Sequence, residues 1–434
     1  MGLPPTILIA HLLTISILGL SAAFYTKDSP KFSKKYRNIK SLVNTVMKCT
    51  KKRILYLFSI MLLGGLITAP LQSSAQNISF ETEEGWNFNV TGQLPVFLVA
   101  SNHEDFSTGG EDQFATRIMS GFIPGSINFN IVAPEMNGVK VEALFQINHH
   151  LHGPSVQNAG LFEGRIADII VSGDFGSINM GKGLGIFNST SIADAGSGMG
   201  VGRFAGPDAA DATLGRIGTG YTFANFNPRI IYTTPSLNGL TVKVGLINPE
   251  KPDGPSATVE TETPRVEGQA NYILEFDSGT LDLWAGGMYQ SVSVVSPDFD
   301  YAISGWDAGA RLEAAGLRLT GAYSGTKGVG ADGLIGLNLI GSGLAQADVE
   351  ATQWYAESMY TAGKFSVGIS YGEGSQDAVS TVLGSSPEIT NKLLMGFTRY
   401  KLTDNLTWIG EVQNFESEAQ ANYKALILGM QLNF

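Results

Sequence analysis

Residues 425–434 (ALILGMQLNF) alternate between two kinds of side chain up to the last residue of the chain. Successive side chains of an extended strand point to opposite faces, so this stretch has two distinct faces. One face is large and apolar and consists of Leu426, Leu428, Met430, Leu432 and Phe434. The other is smaller or more polar, apart from Ile427, and consists of Ala425, Ile427, Gly429, Gln431 and Asn433. The pattern predicts a β-strand with one strongly apolar face.

The same two-residue period recurs through most of the chain, and a helical period is nearly absent. The clearest example is the stretch RVEGQANYILEF at residues 265–276. In DAGARLE (residues 307–313), the charged residues Asp307, Arg311 and Glu313 share one face. The 53 glycines and the 10% aromatic content are typical of strands joined by tight turns.

Short and long connections alternate between the predicted strands. Seven short connections have the composition of hairpin turns, at residues 135–138, 172–176, 237–239, 277–279, 314–316, 362–364 and 403–405. Eight longer segments are polar or glycine-rich, near residues 101–113, 149–160, 185–226, 250–264, 293–301, 325–350, 375–389 and 417–420. Seven turns and eight loops imply sixteen strands, with both ends of the chain on the short-turn side.

An even number of antiparallel strands, with short turns at one end and long loops at the other, is typical of a bacterial outer-membrane β-barrel. The alternative is a soluble β-sandwich, whose apolar rows face a core. Many of the predicted strands span ~10–14 residues, which is enough to cross a membrane when tilted. The polar rows also contain too many carboxylates and amides for a dry core. We therefore predict an all-β fold, a transmembrane antiparallel barrel of sixteen strands.

Residues 117–134 (RIMSGFIPGSINFNIVAP) depart from the regular alternation. Pro124 and Gly125 interrupt the stretch, and the apolar positions change parity between Ile118 and Ile127. A bulge explains both facts, because one extra residue moves every later side chain to the opposite face. An extra turn is the alternative, and it would change the strand count.

Residues 47–75 have the features of a secretory signal peptide. Basic residues from Lys48 to Arg53 precede an apolar run, and small residues follow it as far as Ala75. The alternative, a membrane anchor, is disfavoured because the run is short and is interrupted by Gly64 and Gly65.

A signal peptide begins a protein, so we expect Met47 to be the start. Residues 1–46 are then an upstream extension of the gene model, and the mature barrel is residues 76–434. The alternative is a first membrane helix within residues 5–25, which are apolar enough to span a membrane.

The expected mature chain is strongly acidic. Ten of the 28 basic residues and one of the 39 acidic residues lie in residues 1–75, which leaves 18 basic and 38 acidic residues. This balance argues against nucleic-acid binding and weakly favours cations as solutes. The single cysteine, Cys49, lies in the signal peptide, so the mature chain needs no thiol chemistry.

Three parts of the sequence resemble the general porins of Gram-negative outer membranes, which are trimeric and sixteen-stranded. Phe434 is similar to the terminal phenylalanine that the barrel-assembly machinery reads in that family. The stretch GRIADIIVSGDFGSINMGKG (residues 164–183) resembles the strand–turn–strand unit before the long third loop. The stretch YTTPSLNGL (residues 232–240) resembles the segment after that loop.

The resemblance implies that the third loop folds into the lumen and narrows it. Family porins place acids of this loop opposite bases of the barrel wall, and such charges set ion selectivity. By matched position the wall bases are Arg117, Arg165 and Lys182. The family arginine before YTTPSLNGL corresponds to Ile231 here, and Arg229, two residues earlier and so on the same face, is the fourth expected base. The loop acids are Asp194, Asp208 and Asp211, although the family's usual loop tip is absent here. Arg203 and Arg216, within the loop, are weaker candidates.

Asp168 shares a predicted row with Ile166 and Ile170, which would place its carboxylate towards lipid. A bare carboxylate at that depth is costly. In family trimers the fourth strand lies near the subunit contact, so we expect Asp168 to be buried at an interface between subunits.

No catalytic or metal site emerges from the sequence. His149, His150 and His152 are close together, but structural zinc sites usually have four well-spaced ligands, so a polar surface loop or subunit contact is the simpler interpretation. An outer-membrane hydrolase would need a nucleophile and a base in register, and the histidines show no such pairing.

The sequence therefore predicts a porin for passive diffusion of small hydrophilic solutes and ions, with no cofactor and no enzymatic activity. The alternatives are a solute-selective channel or a barrel that acts mainly as an adhesin or anchor. The expected partners are two further copies of the chain, outer-membrane lipid and lipopolysaccharide, and the barrel-assembly machinery. In this interpretation the apolar face of residues 425–434 contacts lipid or a neighbouring subunit, and Gln431 and Asn433 face water inside the pore.

Overall fold

A computed structural model describes residues 78–104, 112–151, 162–204, 212–249, 259–260, 263–294, 298–335, 347–381 and 384–434. The predicted signal peptide and upstream segment lie outside these residues. The strands of the described residues are β1 (Ile78–Glu81), β2 (Asn87–His103), β3 (Gln113–Met119), β4 (Gly125–Val132), β5 (Lys140–His149), β6 (Phe162–Gly173), β7 (Gly176–Leu184), β8 (Phe226–Thr233), β9 (Leu240–Ile247), β10 (Val259–Glu260), β11 (Arg265–Phe276), β12 (Gly279–Val294), β13 (Phe299–Ala314), β14 (Leu317–Lys327), β15 (Glu350–Ala362), β16 (Phe365–Gln376), β17 (Val379–Thr381), β18 (Gly384–Ser386), β19 (Ile389–Lys401), β20 (Leu406–Ser417) and β21 (Tyr423–Asn433). One short helix, α1, spans Ala195–Gly198.

Seventeen of these strands form a closed antiparallel barrel, which has sixteen barrel strands because β3 and β4 together count as one. β3 and β4 both pair with β2 and are the two halves of a single barrel strand. The short strands β1, β10, β17 and β18 are additions to the barrel. The last strand, β21, pairs with β2 over 11 residues and closes the sheet. The predicted fold class and strand count are confirmed.

The connections follow the predicted alternation. Seven are short, and the two-residue turn at Ala315 and Gly316 has φ values of 50° and 82°. These angles are typical of the turn that matches the twist of a hairpin. Of the eight connections at the other end, six are longer than any of these seven, and those at residues 295–298 and 418–422 are short. Two of the eight matter below: loop 3 (residues 185–225, between β7 and β8) and loop 6 (residues 328–349, between β14 and β15).

The side chains form an outer row and an inner row along each strand. On β21 the outer row is exposed, with Leu426 at 47% and Leu432 at 40%. The inner row is covered, with Ile427 at 0% and Gln431 at 6%. Outer rows are mostly apolar around the barrel, whereas inner rows contain most of the charged and amide side chains. The apolar face of the last strand therefore points away from the barrel interior, as the sequence predicts.

The interruption at Pro124 is a bulge and not an extra turn. Phe97 of β2 pairs with Met119, and Gln93 pairs with Ser126, so the intervening segment of residues 120–125 is longer than its partner on β2. The excess is an odd number of residues, so the side chains after the bulge lie on the opposite faces.

No helix in the described part of the chain is long and apolar enough to cross a membrane.

Candidate functional site

Loop 3 makes hydrogen bonds to inner-row side chains of eight strands. The described parts of the loop, residues 185–204 and 212–225, contact β11 to β15 and β19 to β21. These strands form one continuous side of the sheet, with β16 lying between β15 and β19. Inner-row side chains along most of the width of this side of the sheet therefore contact the loop.

Three inner-row glutamates bind the backbone of loop 3. Glu267 of β11, Glu357 of β15 and Glu411 of β20 are all buried. Each carboxylate accepts hydrogen bonds from two successive N–H groups of the loop, and such charge-assisted bonds contribute about 1.5–3 kcal/mol each. The donor pairs are Ile186 and Phe187 on Glu267, Ala195 and Gly196 on Glu357, and Val201 and Gly202 on Glu411, at distances from 2.5 to 3.1 Å.

Three inner-row arginines bind carbonyl groups of the same loop. Arg311 of β13 and Arg318 of β14 both donate from Nη2 to the carbonyl oxygen of Ala193, at 3.3 Å and 2.6 Å. Arg399 of β19 donates to the carbonyl oxygen of Ala195. Backbone groups that lose contact with water need such partners, so the wall supplies acceptors and donors to one short stretch of the loop.

An apolar cluster joins loop 3 to the side of the barrel where the sheet closes. Val201 and Phe204 of the loop pack with Phe97, Phe415 and Tyr423. The ring of Phe204 stacks on that of Tyr423 with centroids 4.2 Å apart. The Tyr423 hydroxyl accepts a hydrogen bond from the Phe204 N–H at 3.1 Å. The loop is therefore held both by polar contacts and by buried apolar area.

Asp194, predicted to be a loop acid facing the pore, is fully buried inside loop 3. Its carboxylate caps α1, accepting from the Ser197 N–H at 2.7 Å, and also accepts from the Tyr221 hydroxyl at 3.0 Å. The Arg216 guanidinium lies 3.9 Å away, and neither side chain of this pair is exposed. Asp194 therefore stabilises the loop and is not accessible to a solute. The other two predicted loop acids, Asp208 and Asp211, lie outside the described residues.

Part of loop 6 packs against loop 3. The Phe223 N–H of loop 3 donates to the Gly333 carbonyl oxygen of loop 6 at 2.7 Å. Inner-row amides of the wall also bind loop 6, because Gln376 accepts from the Ala331 N–H at 2.8 Å. Asp332 is buried next to these contacts, and burial raises the pKa of its carboxyl to about 6. Nothing in the sequence pattern indicated that a second connection would be buried.

Three of the four predicted wall bases lie on inner rows. Arg117 of β3 places its guanidinium 5.6 Å from the centre of the Phe204 ring of loop 3. Arg165 of β6 pairs with Glu163 of the same strand at 2.8 Å. Arg229 of β8 pairs with Asp168 of β6 at 2.8 Å. The prediction for the fourth base, Lys182, is wrong. It lies two residues after the outer-row Met180 and opposite Ala167 and Pro228, so it is on the outer row, and its Nζ donates to the Gly164 carbonyl oxygen.

The expected position of Asp168 at a subunit contact is wrong. Asp168 is on the inner row of β6, only 4% exposed, whereas Ile169 is on the outer row. The cause is a bulge, since Ile166 and Gly164 pair with successive residues of β5 and leave Arg165 as the extra residue. The extra residue reverses the faces of the rest of the strand, which the alternation of residues 166–170 alone does not reveal.

A polar cavity of about 590 Å³ opens on the inner face of β2, β4, β5 and β6, towards the short turns. Its walls carry amides, a hydroxyl and one ion pair, Lys140 with Glu142 at 2.7 Å. The amides hydrogen bond across strands, for example Gln146 to Asn128 at 2.9 Å. The lining residues are Asn89, Thr91, Asn128, Asn130, Val132, Lys140, Glu142, Leu144, Gln146 and Ile166.

The histidine-rich stretch does not form a metal site in the part of the chain that is described. His150 is buried and lies 2.9 Å from Glu163, and the His149 ring packs edge-on to Phe162. His152 lies outside the described residues. Among the described residues, no three potential metal ligands lie together.

Comparison with known proteins agrees with this architecture. Among solved structures, the outer membrane channel DcaP of Acinetobacter baumannii superposes with a TM-score of 0.59 and 12% identity, covering 82% of this chain and 99% of its own. An anion-selective porin from Comamonas acidovorans gives 0.57 and 14%, covering 80% and 100%. The trimer form of in-vitro folded OmpT of Vibrio cholerae gives 0.52 and 13%, covering 80% and 99%. At these identities the likeness concerns the fold alone.

A comparison with curated proteins gives no sequence match. The model of a family described as Gram-negative porin, however, matches residues 64–420, which is most of the chain. This match agrees with the closed barrel of sixteen strands, its apolar outer rows and its polar inner rows. The chain belongs to the Gram-negative porin family, and it forms a channel of the outer membrane for the passive diffusion of solutes.

Proposed function

We propose that small hydrophilic solutes pass along the wall formed by β4 to β8, between that wall and loop 3. The supporting observation is the asymmetry of the interior. The side-chain hydrogen bonds that hold loop 3 and loop 6 come from inner rows between β11 and β21, although loop 3 also packs on Phe97 of β2, while the polar cavity is lined by β2, β4, β5 and β6. We infer from the same contacts that loop 3 lies within the barrel and narrows its lumen.

In this proposal the constriction lies where Arg165 and Arg229 come nearest to loop 3. Arg117 is on β3, which forms one barrel strand with β4, so it belongs to the same wall. Its guanidinium contacts the Phe204 ring of loop 3. Asp208 and Asp211 are the proposed acids of the loop, whereas Asp194 is omitted because its carboxylate is covered.

Conductance through planar lipid bilayers tests this path. Asn128 lines the cavity and its neighbour Ile127 is on the outer row of the same strand, 44% exposed. Asn128→Trp should lower the single-channel conductance, and Ile127→Trp should leave it unchanged. Equal effects of the two variants would contradict the proposed path. A folded protein without any stepwise conductance would favour the adhesin or anchor alternative.

We also propose a homotrimer, assembled by the barrel-assembly machinery and surrounded by lipid and lipopolysaccharide. The support is the apolar outer surface and the fold shared with OmpT, of which one solved structure is described as a trimer form. Cross-linking of the purified protein tests the stoichiometry.

The proposal includes a signal peptide at residues 47–75 and an untranslated segment at residues 1–46. Mass spectrometry of the mature N-terminus tests both, and a peptide from residues 1–46 would contradict the second.

We further propose that the protein carries out no bond-making or bond-breaking chemistry and needs no cofactor. Facilitated movement down a gradient requires only a path and a suitable lining. Absence of hydrolysis of ester and peptide substrates by outer-membrane preparations is the expected result.

A further inference from the structure

The inner-row charges differ sharply in their access to water. Six inner-row acids are buried, whereas Arg265 is the one buried arginine or lysine on the inner rows of the described strands. The buried acids are Glu163, Asp168, Glu267, Asp307, Glu357 and Glu411. The acidic composition of the whole chain is therefore a poor guide to the charge that a solute meets inside the barrel.

The reason for this burial is visible at five of the six acids, all except Asp307. Glu267, Glu357 and Glu411 are covered because they bind N–H groups of loop 3. In the two ion pairs on the opposite wall, the acid is again the covered partner: the side-chain exposures are 1% for Glu163 against 13% for Arg165, and 2% for Asp168 against 12% for Arg229. Each of these acids is compensated by hydrogen bonds or by its base, while the base keeps contact with the lumen.

Several inner-row bases, by contrast, remain accessible. The guanidinium groups of Arg311 and Arg318 meet at one carbonyl oxygen, that of Ala193, and their side chains are 16% and 22% exposed. Two carboxylates lie near them, Asp282 at 3.6 Å from Arg311 and Glu313 at 3.6 Å from Arg318, and their side chains are 18% and 51% exposed, so at this place the acid is not the covered partner. Each is monodentate and looser than a direct hydrogen bond, so both arginines keep donors for a solute.

We propose that the channel prefers anions to cations, and that Arg311 and Arg318 form a subsite for small anions such as chloride and short carboxylates. This inference rests on the proposed function, because selectivity presupposes a conducting pore. Guanidinium groups bind carboxylates through two parallel hydrogen bonds, which suits this ligand class.

Reversal potentials in planar bilayers under a KCl gradient test the preference. The reversal potential of the wild-type channel should have the sign of the chloride equilibrium potential. Arg318→Gln should lower the chloride-to-potassium permeability ratio about two- to fivefold, as expected for one accessible charge that acts across the lumen on the ion path at moderate salt. Lys392→Gln is the matched control, because Lys392 lies between Asn391 and Leu393 of the buried inner row and so on the outer row of β19. It should leave the ratio unchanged.

A second variant separates selectivity from folding. Glu313 is 51% exposed, and Glu313→Gln should raise the permeability ratio by a similar factor. Opposite shifts in the two variants are not expected from a general disturbance of the barrel. A conducting wild-type channel with potassium preference, or shifts of the same sign in both variants, would overturn the inference. Absence of conductance would instead contradict the proposed function.

Discussion

Replacement of Glu357 by alanine should release the middle of loop 3 while leaving the barrel intact. The Glu357 carboxylate is 5% exposed and accepts hydrogen bonds from the Ala195 and Gly196 N–H groups, both at 2.8 Å. The variant removes both acceptors and leaves the two donors in a covered position. The interstrand hydrogen bonds of β15 involve backbone groups and are retained.

The expected cost follows from these two contacts. A hydrogen bond to a charged acceptor contributes about 1.5–3 kcal/mol, so the pair contributes about 3–6 kcal/mol. Water entering the space left by the side chain recovers part of this, and we expect the docked position of the loop to lose about 2–4 kcal/mol. Since 1.4 kcal/mol is a factor of ten, the population of the detached loop should rise about 30- to 700-fold.

Hydrogen–deuterium exchange measures this population directly. Peptides that contain residues 190–204 should exchange faster in the Glu357→Ala variant, and peptides from β2 and β21 should not. Single-channel records should show increased current noise as the loop moves. The control is Glu350→Ala, which removes an exposed side chain from the same strand.

Two results would refute this reasoning. Unchanged exchange of residues 190–204 in Glu357→Ala would mean that the carboxylate does not hold the loop. Equal acceleration in Glu357→Ala and Glu350→Ala would mean that the effect is a general loosening of β15.

Three further predictions concern the chain end and loop 6. Phe434 exchanges backbone hydrogen bonds with Gly92 at 2.7 and 3.0 Å, so its deletion should reduce the yield of assembled barrels more than the conductance of those that form, as measured by heat-modifiability on gels and by bilayer recordings. Gly92→Leu should reduce assembly in the same way, because a Cβ at residue 92 would lie 2.4 Å from the Phe434 ring; normal yield would exclude this contact. Burial raises the pKa of Asp332 from 3.8 to about 6, so the folded state binds a proton that the unfolded state lacks, and stability should rise by roughly 3 kcal/mol as pH falls from about 6 to about 4. Asp332→Asn should lose this difference in thermal unfolding measured across that pH range.

The sequence was sufficient for the barrel because alternation and turn chemistry are local. The turn at Ala315 and the outer row of β21 both follow from neighbouring residues. The alternation puts Asp168 on the wrong face for a local reason too. The single bulged residue Arg165 moves the side chains that follow it to the opposite face, and nothing in the sequence around it indicates a bulge. The family resemblance predicts that Asp194 faces the pore. In the structure Asp194 is instead buried within loop 3, where it accepts the capping hydrogen bond from Ser197 and pairs with Arg216.

The wall acids could not be assigned from the sequence, because their partners are distant along the chain. Glu357 binds residues that precede it by 161 and 162 positions, and Glu411 binds residues 209 and 210 positions away. A periodic pattern places such a side chain on an inner row but does not say what it contacts. The sequence pattern therefore places carboxylates on inner rows correctly, as in the stretch DAGARLE, but it does not identify the groups that they bind.

The burial of the wall acids links the architecture of loop 3 to the selectivity of the channel. A loop inside a barrel carries N–H groups that cannot all pair with one another, and buried carboxylates are strong acceptors for them. Each acid used in this way is withdrawn from the surface that a solute meets, as for Glu267, Glu357 and Glu411. Carbonyl groups of the same loop take only one or two of the five donors of an arginine, so Arg311 and Arg318 serve the loop and still present positive charge. An acidic chain can in this way line its pore with accessible bases.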